Sequence, residues 1–180
     1  AASDVYKRQV EIRRAGSEGL ASHARTLRRH RDEYAAHFER ERSRIDTFEH
    51  QVICATTVHE AFHQLAFHTG LQSPKVQYPI WISEGLATCF ETDTPNHAFG
   101  PDHEYAVRRD GVRALHADGG FVPLGRLVGW TRVPSADEDV VHAIYHQSYA
   151  LVAWMNRERL EELARYLCLL YTSPSPRDLA

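Results

Sequence analysis

The chain has 180 residues, 43% of them hydrophobic, with 12 histidines and a formal net charge of −3. That length and apolar share suit one globular domain with a real core, and the weakly acidic balance makes no general case for nucleic-acid binding. No stretch is long or apolar enough to span a membrane, and the three cysteines show no C-x-x-C spacing, which argues against a cysteine metal site.

The first nine residues, AASDVYKRQ, and the last thirteen, CLLYTSPSPRDLA, do not read like parts of a folded domain. Both resemble translated sequencing-adapter DNA, so residues 1–9 and 168–180 are expected to be artefactual tails. A single domain, itself a fragment of a longer protein, is then expected over residues 10–167. The alternative is two genuine but disordered tails, which the Ser-Pro-Ser-Pro composition also suits.

Leu20 to Arg44 contains no Gly or Pro and carries Arg25, Arg28, Arg29, Arg31, Glu39 and Glu41. It predicts a long, largely solvated helix. The cluster Arg25 to Arg31, with His23 and His30, could form a local anion or nucleic-acid patch, but Asp32 and Glu33 follow directly and favour a solvated face.

Asp46 to Thr69 predicts a second helix, capped by Asp46 or Thr47, with Glu49 placed for a capping box and Gly70 as the stop. Val52, Ala55, Val58, Phe62, Leu65 and Ala66 follow helical spacing and are expected to form its buried side. In its middle stands His59-Glu60-Ala61-Phe62-His63. Two imidazoles one turn apart share a helix face and can grip one metal ion, and the glutamate between them is near enough to activate a water there. Twenty-one positions later comes Glu84, in the run Trp81 to Ala87, expected on a second helix as the third ligand. Two histidines and a carboxylate with an open fourth position are the parts of a hydrolytic zinc site, with one Zn2+ as the expected cofactor.

Chance produces His-Glu-x-x-His in roughly one chain in twenty of this composition, so the bare pattern carries little. Its place mid-helix and the Glu84 segment carry more. The competing reading is two ordinary core or surface histidines.

Residues 92–104 are turn-rich and predict a loop. Helices are expected from about Asp102 to His116, stopped by Asp118-Gly-Gly, and briefly over Pro123 to Val128. A further helix is expected over Glu138 to Asn156, with Val141, Ile144, Tyr145, Ser148, Leu151, Val152 and Met155 on its buried face. Arg157 to Leu167 completes the set, with Leu160, Leu163 and Leu167 on one side. The architecture is mainly helical, with at most a vestige of sheet.

Three blocks carry a family resemblance: VHEAFHQLAFHTG at 58–70, PIWISEGLATCFE at 79–91 and IYHQSYALVAWM at 144–155. They resemble the gluzincin-type zinc metallopeptidases, and most closely an uncharacterised bacterial peptidase-like family among them, domain of unknown function 1570. His68 and Cys89 depart from that pattern, where asparagine and tyrosine are expected, and neither touches the proposed ligands. The resemblance implies a mainly α, α+β zincin-like fragment, with His59, His63 and Glu84 as metal ligands and Glu60 as general base. It implies Tyr145 as hydroxyl donor to the oxyanion of a tetrahedral intermediate. It also implies a peptide or protein substrate, export from a bacterial cell, and a small sheet upstream of the metal helix, of which only Gln9 to Arg13 could be a remnant.

Several roles have competitors. Glu91, on the same expected helical face as Glu84, could replace it as ligand, but Gly85 and Ala87 favour Glu84 by leaving room for the metal helix. Glu91 or Thr88 could instead orient a histidine from behind. Tyr149 could replace Tyr145, and both could be core aromatics. His142 and His146 could meet substrate or be plain helix residues. Cys54 and Cys89 are expected as small buried apolar groups, with a disulfide open. As a whole, a zinc-binding but inactive structural or interaction domain stands against the peptidase.

Overall fold

A computed structural model describes residues 2–17, 21–73, 76–94, 96, 98–134 and 137–172. Residues 173–180, most of the C-terminal segment set apart above, lie outside the described residues. The chain divides into two compact units, Ala1–His50 and Gln51–Ala180. Among the described residues there are seven helices and no strand, a mainly helical fold.

The first unit holds α1 (Ala2–Ser17) and the beginning of α2 (Ala21–His68). Ile12, Ala24 and Leu27 form its small core, and the Arg8 guanidinium lies 5.5 Å from the centre of the Tyr34 ring. Gln9 to Arg13 lies inside α1, so it is helix and not a remnant of sheet. Arg29 and Arg31 pair with Glu33 and Asp32 along α2.

The sequence led us to expect two helices where α2 is one. No Gly or Pro interrupts it from Ala21 to His68, and the Asp46 cap does not form. Asp46 instead reaches Arg42 at 3.9 Å, and the Thr47 hydroxyl donates to the Ser43 carbonyl at 2.7 Å within the helix. An Asp or Thr inside a helix costs under about 1 kcal/mol, so nothing here outweighs continued backbone hydrogen bonding. Gly70, at φ 76°, follows the helix end as expected.

The second unit holds the end of α2, then α3 (Ile80–Cys89), α4 (Ala106–Asp118), α5 (Leu124–Leu127), α6 (Glu138–Glu158) and α7 (Leu160–Thr172). Helix α3 is its centre: Ile80, Trp81, Ile82, Gly85, Leu86, Ala87, Thr88 and Cys89 are all buried. They pack mainly on α6, through Ile144, Tyr149, Val152 and Ala153. Helices α4 and α7 also lie against α6. Helix α6 starts at Asp137, whose side chain accepts the Asp139 N–H at 3.0 Å, with Glu138 and Asp139 complementing the helix dipole. Its expected buried face is buried or half-buried at every position.

Three expectations shift. Helix α4 starts at Ala106 rather than Asp102, because the Asp102 carboxylate accepts from Asn156 at 3.0 Å and the Tyr105 N–H goes to the Tyr149 hydroxyl at 3.2 Å. On α2 the buried stripe is His59, Phe62 and Ala66, whereas Val52 and Leu65 are exposed. On α7 Leu163 is buried but Leu160 is exposed. Cys54 and Cys89 are not joined in a disulfide: Cys89 lies in the core and Cys54 is half-buried.

Candidate metal centre

The four-residue spacing on α2 brings the imidazoles of His59 and His63 together, with ring centres 4.9 Å apart and Nε2 atoms 3.2 Å apart. Glu84, near the middle of α3, meets them both. Its Oε2 lies 3.1 Å from His59 Nε2 and 3.6 Å from His63 Nε2. These three side chains form a group able to hold a metal ion, with ligand atoms all within 4.8 Å of one another. It is the one such group of histidine, cysteine and carboxylate side chains among the described residues.

A second layer lies behind His59. Its Nδ1 meets Glu91 Oε1 at 2.9 Å, in a position that is 6% exposed for the carboxylate. A histidine that gives its far nitrogen to a carboxylate is fixed in ring orientation and keeps Nε2 for the metal. Glu91 is itself gripped by Arg108 of α4, Nε to Oε2 and Nη2 to Oε1, both at 2.6 Å. So Glu91, which lies just past the end of α3, stands behind the ligand group and not in it. The Thr88 hydroxyl donates to the Gly85 carbonyl at 2.9 Å in its own helix, and so does not orient a histidine.

The electrostatics follow from this layering. Burial alone would lower the His59 pKa, but the hydrogen bonds and charges of Glu84 and Glu91 outweigh it and raise the group from 6.5 to about 9. Burial pushes Glu84 up, and the contacts with His59 and His63 more than reverse this, to about 2. Burial likewise works against ionised Glu91, yet His59 and Arg108 hold it below the ordinary carboxylate range. The centre is therefore a compact cluster of imidazoles and ionised carboxylates.

Tyr145 projects from α6 toward this cluster, its ring centre 6.1 Å from that of His59. Burial, then the Glu84 charge and a hydrogen bond to that carboxylate, push its phenol up to about 12. It stays protonated and able to donate across the usual pH range. Tyr149 is buried and its hydroxyl accepts the Tyr105 N–H, which ties it to the start of α4 instead. Glu60 is exposed, near enough for its charge to act on Tyr145. His146 packs against Gly111, where an added Cβ would meet its ring at 2.3 Å, and His142 is exposed 6.2 Å away between ring centres.

Gly85 does a different job from the one expected. A Cβ there would lie 2.6 Å from Val152 Cγ2 and 2.7 Å from the Ser148 carbonyl, so the missing side chain makes room for α6, not for the metal helix. Tyr145, Ser148 and Val152 recur at helical spacing on that same side of α6. The close approach at Gly85 thus sets how near Tyr145 stands to Glu84.

Arg108 escaped the reading of the sequence. It is one of three arginines on α4, with Arg109 and Arg113, and no local pattern separates it from the other two.

A mainly helical domain with a two-histidine, one-carboxylate group capable of holding a metal is what fold and site define. The chain belongs to a family described as a protein of unknown function, DUF1570, which matches residues 53–176. That span contains every residue of the centre. No curated protein and no solved structure matches the chain. No helix among the described residues is long and apolar enough to cross a membrane.

Proposed function

We propose that this chain is a zinc-dependent peptidase of the gluzincin type, hydrolysing peptide bonds without a covalent intermediate. The spacing of the donor atoms carries the reading. A tetrahedral ion with bonds of about 2.0–2.1 Å needs ligand atoms about 3.3 Å apart, and two imidazole nitrogens and a carboxylate oxygen are the donors zinc favours. The three separations here are 3.2, 3.1 and 3.6 Å. His59, His63 and Glu84 would hold the ion, with Glu91 fixing the far side of His59.

When bound, zinc supplies Lewis acidity, polarising a carbonyl and making water nucleophilic near neutral pH. The protein's residues do the rest. Glu60 takes the proton of the attacking water as its oxygen bonds to the carbonyl carbon. Tyr145 donates its hydroxyl to the carbonyl oxygen as that oxygen gains charge. The carbon–nitrogen bond then breaks, and the proton held by Glu60 passes to the leaving amine. The products are a carboxylic acid and an amine, which at neutral pH share out the remaining proton as carboxylate and ammonium, and Glu60 returns to its starting state.

The competing reading is a domain that binds zinc but does no chemistry. Glu60, beside its ligands and open to solvent, favours the enzyme. The test is zinc content and cleavage of an unstructured protein such as casein, by the full chain and by Glu60→Gln. About one zinc in both, with cleavage lost only in the variant, supports the mechanism. Cleavage that persists in Glu60→Gln overturns the role of that residue, and zinc without cleavage in the parent establishes the inactive domain.

A further inference from the structure

We infer that Arg108 is a positioning residue for the metal centre, acting on His59 through Glu91 from a helix that contributes no ligand. The inference rests on the metal-binding reading above and concerns how tightly the centre holds its ion. Helix α4 offers nothing to the ligand group, yet Arg108 reaches both elements that flank it. One edge of its guanidinium makes a two-pronged contact with Glu91, both prongs at 2.6 Å. Its guanidinium carbon lies over the Tyr145 ring, 5.6 Å from the ring centre.

The two-pronged contact matters because of which oxygen it uses. Glu91 Oε1 accepts from Arg108 Nη2 and is the same atom that stands 2.9 Å from His59 Nδ1. A planar guanidinium fixes the plane of a carboxylate as well as its position, which a single ammonium charge does not. The plane of Glu91, and through it the ring angle of His59, is therefore set from α4. Glu91 lies in the turn beyond the end of α3, where its N–H reaches the Thr88 carbonyl at 3.3 Å, but that backbone contact does not fix the plane of its carboxylate. The side chains are 17% exposed for Arg108 and 6% for Glu91, so water does little to loosen the pair.

An ordinary ion pair tying a loop to α4 would show the same distances. It would affect melting without being coupled to metal affinity, and that difference is measurable. Zinc affinity is read by competition with a chromophoric chelator on the full chain, for the parent, Glu91→Gln, Arg108→Met and the double variant, each with its melting temperature. Loss of a residue that orients a metal ligand commonly weakens binding about 10- to 100-fold. Each single variant should fall in that range, and the double should bind no more weakly than the weaker single. Arg108→Lys keeps the charge without the fork and should fall between parent and Arg108→Met. It also serves if the methionine variant does not fold. In the zinc-loaded parent the His59 Nδ1 proton should give a slowly exchanging downfield imidazole resonance, lost in Arg108→Met. Full parental affinity in Arg108→Met overturns the inference, as do losses that simply multiply in the double variant. If Arg108→Lys alone is folded, parental affinity there overturns it too. A parent that binds no zinc overturns the metal reading itself, which is a separate result.

Discussion

Two neighbouring residues of α3 meet two different helices. Glu84 reaches α2 through side-chain atoms alone, its carboxylate between two imidazoles. Gly85 meets α6 almost backbone to backbone, with no room for even a methyl group. The first contact is polar and holds ionisable groups; the second is a dense approach of uncharged backbone and the Val152 side chain. The difference assigns chemistry to one face and stability to the other. It also makes the two largely separable, because the packing contacts that hold α3 on α6 come from residues other than the metal ligands, whose own share of stability is ionic.

The largest effect should come from His63→Ala. Structural zinc sites with four ligands are worth about 10–16 kcal/mol in total, so one ligand accounts for roughly 2.5–4 kcal/mol, or about 100- to 1,000-fold in affinity. His63 is half-buried, and among the described residues its Nε2 meets only the other two ligands. The metal-free variant should therefore melt close to the parent while losing almost all its zinc. A collapse of the metal-free fold would show that the polar face also carries stability.

Gly85→Ala should do the reverse. The new Cβ meets a carbonyl that cannot rotate away, so the cost belongs at the upper end of overpacking, about 3 kcal/mol, offset by about 1 kcal/mol of better helix propensity. At roughly 2–4 °C per kcal/mol, the metal-free melting temperature should drop by about 4–8 °C. A parental melting temperature would mean that α3 and α6 can part without cost. If zinc affinity fell while melting did not, the division between the two faces would be wrong.

pH should separate the metal-free protein from the loaded one. His59 has a raised pKa, so its contribution is fully present below 6.5 and is lost as pH climbs through about 9. Glu84 has a depressed pKa, so its contribution is present above 4.5 and is lost as pH falls toward about 2. In chelator, the cluster should therefore stabilise most between pH 4.5 and 6.5 and weaken on either side. With excess zinc the alkaline side should turn upward instead, because imidazoles bind metal only when neutral. Melting curves from pH 2 to 9 in chelator, and from pH 6 to 9 with zinc, read both. A metal-free melting temperature flat across that range would mean the cluster contributes nothing to folding.

What the sequence made legible was whatever is local. His59, Glu60 and His63 fall within one turn or so of a single helix, so spacing alone brings the imidazoles together. The Glu84 segment needed a second helix, and its Gly and Ala flagged a close approach. But a small residue shows that something comes near without showing what, and at Gly85 the visitor is α6. Arg108 was invisible for a stronger reason. Its contacts to Glu91 and Tyr145 cross 17 and 37 positions of sequence, between elements whose pairing no local pattern records. The length of α2 was misread because caps signal where a helix can start, and a chain free of Gly and Pro need not stop there. The expected sheet came by resemblance, and Gln9 to Arg13 is helical.

Thr88 gives the smallest predicted effect and the finest check on the two faces. It is wholly buried on α3, one turn beyond Glu84, and its hydroxyl proton goes to the Gly85 carbonyl at 2.9 Å. Thr88→Val removes that hydroxyl at nearly constant shape. The carbonyl it served keeps its helical hydrogen bond, so no buried group is stranded, and the cost should be about 1 kcal/mol or less. The expected outcome is a fall of at most about 4 °C in melting temperature with zinc affinity unchanged. A tenfold loss of affinity at constant melting temperature would place Thr88 behind a histidine after all. It would also extend the polar face of α3 into what the packing identifies as its apolar interior.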